Sequence, residues 1–257
     1  MIFNPKDSGP IGVRCSCYIF GDGPSIRYLD YADFLDRPVI SCGNQLFHKQ
    51  HKLLNSVAYI IIEPWLFYPR WLLKAAGKTD LAAHYELTKR YVSHFDNEVA
   101  PDFYINYNNM LPTLRKYHYL SKNSFRSDSR FCEVYTAGIN PIGGSFFGSI
   151  SLAIKLGFTD ICLVGFDAFT LRASPFRWYS KESEDPLLIR RDHTLDASAA
   201  LQFFDGMAQI QILSVSEARE DPRFLSYCDF RSGNISLRSF EEIIDAEDLG
   251  LLRTTYS

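Results

Sequence analysis

The chain has 257 residues, 46% of them apolar, with 20 Phe, 15 Tyr and 3 Trp, enough for one large domain. Its net charge of −3 excludes a global basic field of the kind that draws in nucleic acid. Only local clusters are basic: Arg14, Arg115 with Lys116, and Arg190 with Arg191.

After a Gly- and Pro-rich lead-in, residues 15–20 read as a short buried strand. A Gly-Asp-Gly-Pro-Ser turn follows, then a short helix over 25–35 with Ser25 as N-cap. Residues 38–41 form a second strand and "VAYIII", 57–62, a third. Such continuous β-branched runs suit a parallel sheet covered on both faces. "PRWLLKAAGK" and "LAAHYELTKRYVSHF" have helical spacing. The stretch 96–130 is rich in Asn, Tyr, Ser and Arg and reads as an insertion or a set of short pieces. Strand character resumes at 131–135. Gly143-Gly144-Ser145 opens a helix over 146–156, which Gly157 stops as a C′ glycine would. A strand at 160–164 ends in Gly165-Phe166-Asp167. The aromatic, charged stretch 168–192 reads as a mobile lid, 193–209 as a helix and 210–216 as the last core strand. The polar remainder, about 217–257, is a helical appendage with one amphipathic helix near 240–252. This order predicts a single α/β domain, Rossmann-like, with a mainly parallel sheet and helices on both faces.

In such sheets ligands bind beyond the carboxyl ends of the strands. The segments 21–25, 42–45, 63–65 and 165–167 all lie at strand ends and 143–145 at a helix start, so they are expected to share one crevice. Gly21 and Gly23 let backbone approach a ligand, and Ser25 with the following helix start can hold an anion; a plain βα turn would look the same. The stretch is neither G-x-G-x-x-G, because Ile26 fills the third glycine position, nor a Walker loop. Gly143, Gly144 and Ser145 offer amides and a hydroxyl to phosphate, or simply a helix packed on the sheet. Asn44 and Gln45 can read a base or ribose edge, or stabilise a turn. Asp167 can meet a sugar hydroxyl or cap a turn. Among six histidines, His193 stands at the lid–helix junction, where a general base or a capping histidine both fit. His48, His51, His84, His94 and His118 read as surface residues. There is no Asp-x-Asp after a strand and no H-E-x-x-H, so no metal site is expected.

Six cysteines, at 15, 17, 42, 132, 162 and 228, include no C-x-x-C pair, which argues against a zinc ribbon. Cys42 and Cys162 sit in apolar runs as reduced, buried thiols would. No basic-then-apolar leader and no apolar run near ~18 residues is present, so the expected setting is cytoplasmic. Peripheral contact with the inner membrane and self-association stay open.

"GDGPSI", "VISCGNQLF" and "GGSFFGSISLAIKLGFTDICLVGFDAF" resemble the bacterial lipo-oligosaccharide sialyltransferases of glycosyltransferase family 42. The resemblance covers roughly 17–67 and 140–216. The Gly-x-Gly-Pro-Ser and Leu-Gly…Gly-x-Asp pair is shared with the broader group of pterin diphosphokinase-like and motility-associated-factor domains. The resemblance implies a Rossmann-like fold of the GT-A-variant type with a lid. It implies a metal-independent, inverting transfer from a CMP-activated acid sugar, sialic acid or a Kdo-like 2-keto acid, in lipo-oligosaccharide or capsule biosynthesis. The partners would be the nucleotide-sugar donor and a glycan or glycolipid acceptor, with no cofactor. By position, Gly21, Gly23, Pro24 and Ser25 would line the donor phosphate and ribose, and Asn44 would contact the nucleotide. Ser145 would meet the acid sugar or phosphate, and Gly165 the cytosine pocket; in the expected transfer, lid tyrosines such as Tyr179 would help stabilise the leaving phosphate. His193 falls within one residue of the family's catalytic histidine.

Four positions depart from the family. Asp22 and Glu63 replace asparagines, Ile142 replaces an arginine, and Phe169 replaces a phosphate-contacting tyrosine. Two carboxylates beside a phosphate repel it unless they point elsewhere. Arg172, Arg177, Arg190 or Arg191 in the lid could take over the pairing of the donor carboxylate. The rival readings are a Mg²⁺- and ATP-dependent diphosphotransferase and a non-catalytic nucleotide-sugar-binding protein.

Overall fold

Along β1, Ser16–Phe20, side chains alternate between two cores. Tyr18 and Phe20 enter one, Cys17 and Ile19 the other, as the period of two requires. Both faces of the strand are therefore buried, which accounts for its unbroken apolar sequence. The computed structural model describes residues 15–61, 80–97, 103–106, 118–119, 144–167, 177–180, 198, 201–215, 222–230 and 235–256.

The other strands are β2 Val39–Cys42, β3 Ser56–Ile61, β4 Phe103–Asn106, β5 His118–Tyr119, β6 Asp160–Val164, β7 Gln209–Ser214 and β8 Phe224–Ser226. They form one sheet in the order β5-β4-β3-β2-β1-β6-β7-β8, and each neighbouring pair is parallel. The fold is α/β and Rossmann-like, as the alternation of strands and helices predicts. The chain runs outward from β1 to β5, then returns to the centre and places β6 against the free side of β1. That reversal leaves the crevice between the ends of β1 and β6 as the natural ligand position.

Helix α1, Leu81–Asn97, buries Ala83, His84, Leu87 and Tyr91, a spacing of one helical face. Helix α2, Gly144–Lys155, sends Ile150, Leu152 and Ala153 into the core beneath β1 to β3. Gly157, at φ +91°, ends it, and Phe158 N–H returns to the Ala153 carbonyl at 3.0 Å. At the C-terminal end come one turn, α3 Tyr227–Phe230, another, α4 Phe240–Ile243, and helix α5 Ala246–Tyr256.

Several expectations change. The helix expected over 25–35 is two 3₁₀ turns, Pro24–Tyr28 and Tyr31–Phe34. Leu29 and Asp30 are extended between them, and the Asp30 carboxylate accepts from Ala32 N–H at 3.0 Å, starting the second turn. Ser25 lies inside the first turn; Gly23 precedes it. The stretch 96–130 supplies β4 and β5. A further strand, β8, follows β7. The 193–209 helix gives way to a 3₁₀ turn, Gln202–Phe204, then Gly206 at φ +77° and β7. The single helix near 240–252 is broken at Ile244, whose extended backbone separates α4 from α5. The segment read as an appendage adds Ile243, Ile244 and Leu252 to the core of Tyr18 and Phe20. His48, His51 and His84 are buried, not superficial. The strand expected at 131–135 and the helix at 69–78 lie outside the described residues.

Candidate functional site

The ends of β1 and β6 are laced together by backbone. Gly21 N–H donates to Val164 O and Gly23 N–H to Gly165 O, both at 2.8 Å. A Cβ at Gly23 would lie 2.1 Å from Asp167 Oδ2 and 2.6 Å from Gly165 O. Gly165 sits at φ +72°, with Ile26 packed where its Cβ would be. Glycine is thus needed here for the approach of two loops of the protein itself. Asp167 is buried, and its Oδ2 accepts from Ser25 N–H at 2.7 Å. The turn start expected to hold a ligand anion therefore holds the Asp167 carboxylate, with Pro24 beside it in the first position of the turn.

The end of β2 is a hydrogen-bond hub. Gly43, at φ +67°, turns the chain, and a Cβ there would strike the Asp22 carboxylate. Asp22 accepts from Asn44 N–H at 3.0 and 2.8 Å, from Asn44 Nδ2 at 3.2 Å and from Trp178 Nε1 at 3.2 Å. Its charge is thus turned into the hub and answered by N–H donors. Four tyrosine hydroxyls converge on the same turn. Tyr59 donates to Gly43 O at 2.6 Å, and Tyr91 to Gly43 O and Asn44 Oδ1. Tyr179 accepts from Asn44 Nδ2 at 2.5 Å, and Tyr31 donates to Gln45 Oε1. Gln45 Nε2 donates to Gly21 O at 2.5 Å, tying β2's end to β1's. Asn44 and Gln45 are 1% and 0% exposed, so both amides hold the turn from within.

Residues 177–180 form a turn docked on this hub. Ser180 N–H donates to Arg177 O at 2.9 Å, and Arg177 N–H to Ser180 Oγ at 3.0 Å. Trp178 and Tyr179 are buried. Trp178 N–H donates to Asp22 O at 3.0 Å. Arg177 Nη1 donates to the Tyr179 hydroxyl at 2.8 Å, bringing one of the four arginines of 168–192 to the hub. Arg253 of α5 donates from Nε to Tyr179 O at 2.9 Å, and its guanidinium lies 4.4 Å from the Phe240 ring centre. His48 stacks on Tyr31 at 4.0 Å and meets Trp178 edge-on. Its Nδ1 accepts from Gln50 N–H at 3.2 Å, so the proton sits on Nε2. Burial, then His51 nearby, pushes its pKa down to about 3. Burial likewise raises the Tyr31 phenol well above its ordinary value and the Cys42 thiol to about 12.

Helix α2 is antiparallel to the strands. Its twelve residues rise ~18 Å, about a strand's length, which brings Gly144 and Ser145 to the carboxyl edge of the sheet. Phe146, the next residue, contacts the ring of Phe166 at 5.7 Å. Three strand ends and one helix start therefore share one edge. His193, Glu63, Gly143, Ile142, Phe169, Arg172, Arg190 and Arg191 lie outside the described residues. Among the described residues, no three His, Cys, Asp or Glu side chains cluster as metal ligands would.

Tyr31, Tyr59, Tyr91 and Trp178 were not legible as site residues. One signal existed: Tyr59 interrupts an otherwise aliphatic buried strand, and a buried phenol must find a partner.

No family model and no curated protein matches the chain. Solved structures do. One is the sialyltransferase CstII from Campylobacter jejuni in complex with cytidine-5'-monophosphate, at 17% identity and TM-score 0.48, covering 95% of this chain and 100% of that one. A second is sialyltransferase CST-II with trisaccharide acceptor and CMP, at 14% identity and TM-score 0.45, covering 93% and 99%. The monofunctional alpha-2,3-sialyltransferase Cst-I from Campylobacter jejuni is similar at 15% identity and TM-score 0.44, covering 83% and 80%.

Proposed function

We propose that the protein is a metal-independent, inverting glycosyltransferase. It moves sialic acid, or a related 2-keto acid sugar of the Kdo type, from a CMP-sugar to a glycan or glycolipid acceptor. The observation that supports this reading is the meeting of 21–25, 43–45 and 165–167 at one sheet edge. These are the motifs that resemble the sialyltransferases, and 165–167 lies 120 residues beyond the other two in sequence. Asp22, the departure that would repel a phosphate, points into the 43–44 turn.

In the proposed reaction the acceptor oxygen attacks the anomeric carbon as the bond to the CMP phosphate breaks. The acceptor proton passes to the imidazole of His193, and CMP leaves with the bonding pair. Amides at the start of α2 and the Ser145 hydroxyl would answer the phosphate charge.

A nucleotide panel tests the reading. CMP should raise the melting temperature more than AMP, GMP or UMP. A ligand at a hundred times its Kd stabilises by ~2.7 kcal/mol. CMP-sugar hydrolysis should persist in EDTA. Preference for an adenine nucleotide, with activity rescued by Mg²⁺ after chelation, would replace this reading with a diphosphotransferase. CMP binding with no turnover would leave a non-catalytic binder.

A further inference from the structure

The carboxylate of Asp22 joins two parts of the molecule that the sequence separates widely. On one side it holds the β2-end turn through Asn44 N–H and Asn44 Nδ2. On the other it holds the indole of Trp178 through Nε1. Every group facing it on these bonds is an N–H donor, so the position requires an acceptor-only side chain. An asparagine would keep one oxygen and turn an NH₂ towards an N–H. Its one oxygen at the Oδ1 position would still accept from Asn44 N–H and Trp178 Nε1, which share that oxygen, and only the bond from Asn44 Nδ2 would be lost; alanine removes every one of these bonds. The neighbouring contacts make the link consequential. Trp178 packs against Tyr179, which bonds Asn44, and Arg177 bonds Tyr179. Displacing the indole loosens the 177–180 turn from the strand-end edge.

We propose that Asp22 is a positioning residue, a latch that fixes the 177–180 turn on the Asn44 hub before substrate arrives. Its effect on substrate rests on the glycosyltransferase reading; the latch itself does not. With the latch intact, the 177–180 turn is already ordered in the free protein. Without it, only a fraction of molecules is competent to bind, and the apparent affinity falls by that fraction. Once the donor is bound, the reacting groups are arranged as before. The signature is therefore a change in KM rather than in kcat.

The test uses Asp22→Ala and Trp178→Phe in the full chain, alone and together. Trp178 emission is read in a background where Trp65 and Trp71 are phenylalanine. In Asp22→Ala that emission should shift to the red, and acrylamide should quench it at least about twofold faster. KM for a CMP-sugar should rise about tenfold, with kcat changed less than about threefold, since the loss is one of pre-organisation. Trp178→Phe should reproduce the KM change, and the double variant should be no worse than either single one, because both break one link. If Asp22→Ala does not fold, Trp178→Phe decides the kinetic question. Unchanged emission and quenching in Asp22→Ala overturns the latch. So does a fall in kcat at constant KM, or multiplication of the two KM effects in the double variant. A wild-type protein that binds no CMP would sink the glycosyltransferase reading, while the emission measurement would still decide the latch.

Discussion

Two histidines mark the two ends of what single residues do here. His193 is the proposed base, and a general base typically contributes ~10²–10⁴-fold in rate. His193→Ala should lose on the order of 10²-fold or more in transfer while CMP affinity holds, because the imidazole would face the acceptor. Paired rate and binding measurements check this: a rate within about threefold of wild type, or a collapse of CMP binding, rules His193 out. His48 is the opposite case. Buried between Tyr31 and Trp178, it is neutral, with its pKa lowered from 6.5 to about 3. The unfolded chain takes up the proton near pH 6.5 and the folded one does not. Its contribution to stability is therefore whole above pH 6.5 and is lost as pH falls towards 3, at about 1.4 kcal/mol per pH unit. His51, Arg238 and Asp30 act on the same ring as smaller influences. His48→Phe keeps the stacking and removes the proton site. In urea titrations between pH 7 and 4 the variant should gain on the wild type as pH falls; parallel profiles would refute a neutral buried His48. Neither the burial of His48 nor its partners could be read from its neighbours, Phe47 and Lys49, which fit a surface turn equally well. The glycines were different. Gly21 and Gly23 were legible as points of close approach, but what approaches them is Gly165 O, Phe166 and Asp167. Sequence shows that a side chain is missing; only the folded chain shows what fills its place.

Strands were more legible than helices. β1, β2, β3 and β6 are short runs buried on both sides, and such runs announce themselves by composition alone. The 25–35 segment misled because Asp30 has ordinary helical neighbours, yet its carboxylate begins a new turn at Ala32. The break at Ile244 was hidden for a related reason. Glu242 reaches back to Ser239 N–H at 2.6 Å and completes a one-turn unit, leaving Ala246 to begin another helix. β4 and β5 were missed because four and two residues at the far side of a sheet carry too little pattern to detect. The C-terminal helix α5 read as peripheral because its sequence is mostly polar, but Arg253 links it to Tyr179 and Leu252 is buried in the core. Arg253→Leu removes a charged donor from the Tyr179 carbonyl and a cation from the face of Phe240. It should cost ~1–3 kcal/mol in urea unfolding, most of it from the hydrogen bond, with Arg253→Lys falling between. A loss below about 0.5 kcal/mol would place Arg253 among ordinary surface residues.

At the scale of the molecule, the order of strands is what assembles the candidate site. No local pattern encodes it. The sequence indicates parallel strands with covered faces, yet β6 could have followed β5 at the outer edge with the same hydrophobic patterning. Its return to β1 depends on fit: Gly165 beneath Ile26, Gly21 against Gly165 O, and Asp167 on Ser25 N–H. That return also has a consequence during synthesis. Ser16 pairs with Asp160, 144 residues further along the chain. At ~5–20 residues per second, a ribosome takes roughly 7–30 s to supply that partner. Throughout that interval the central strand of the sheet has one edge with unsatisfied amides and carbonyls. A nascent chain halted before residue 160 should therefore engage edge-binding chaperones or self-associate, and release past residue 164 should end both.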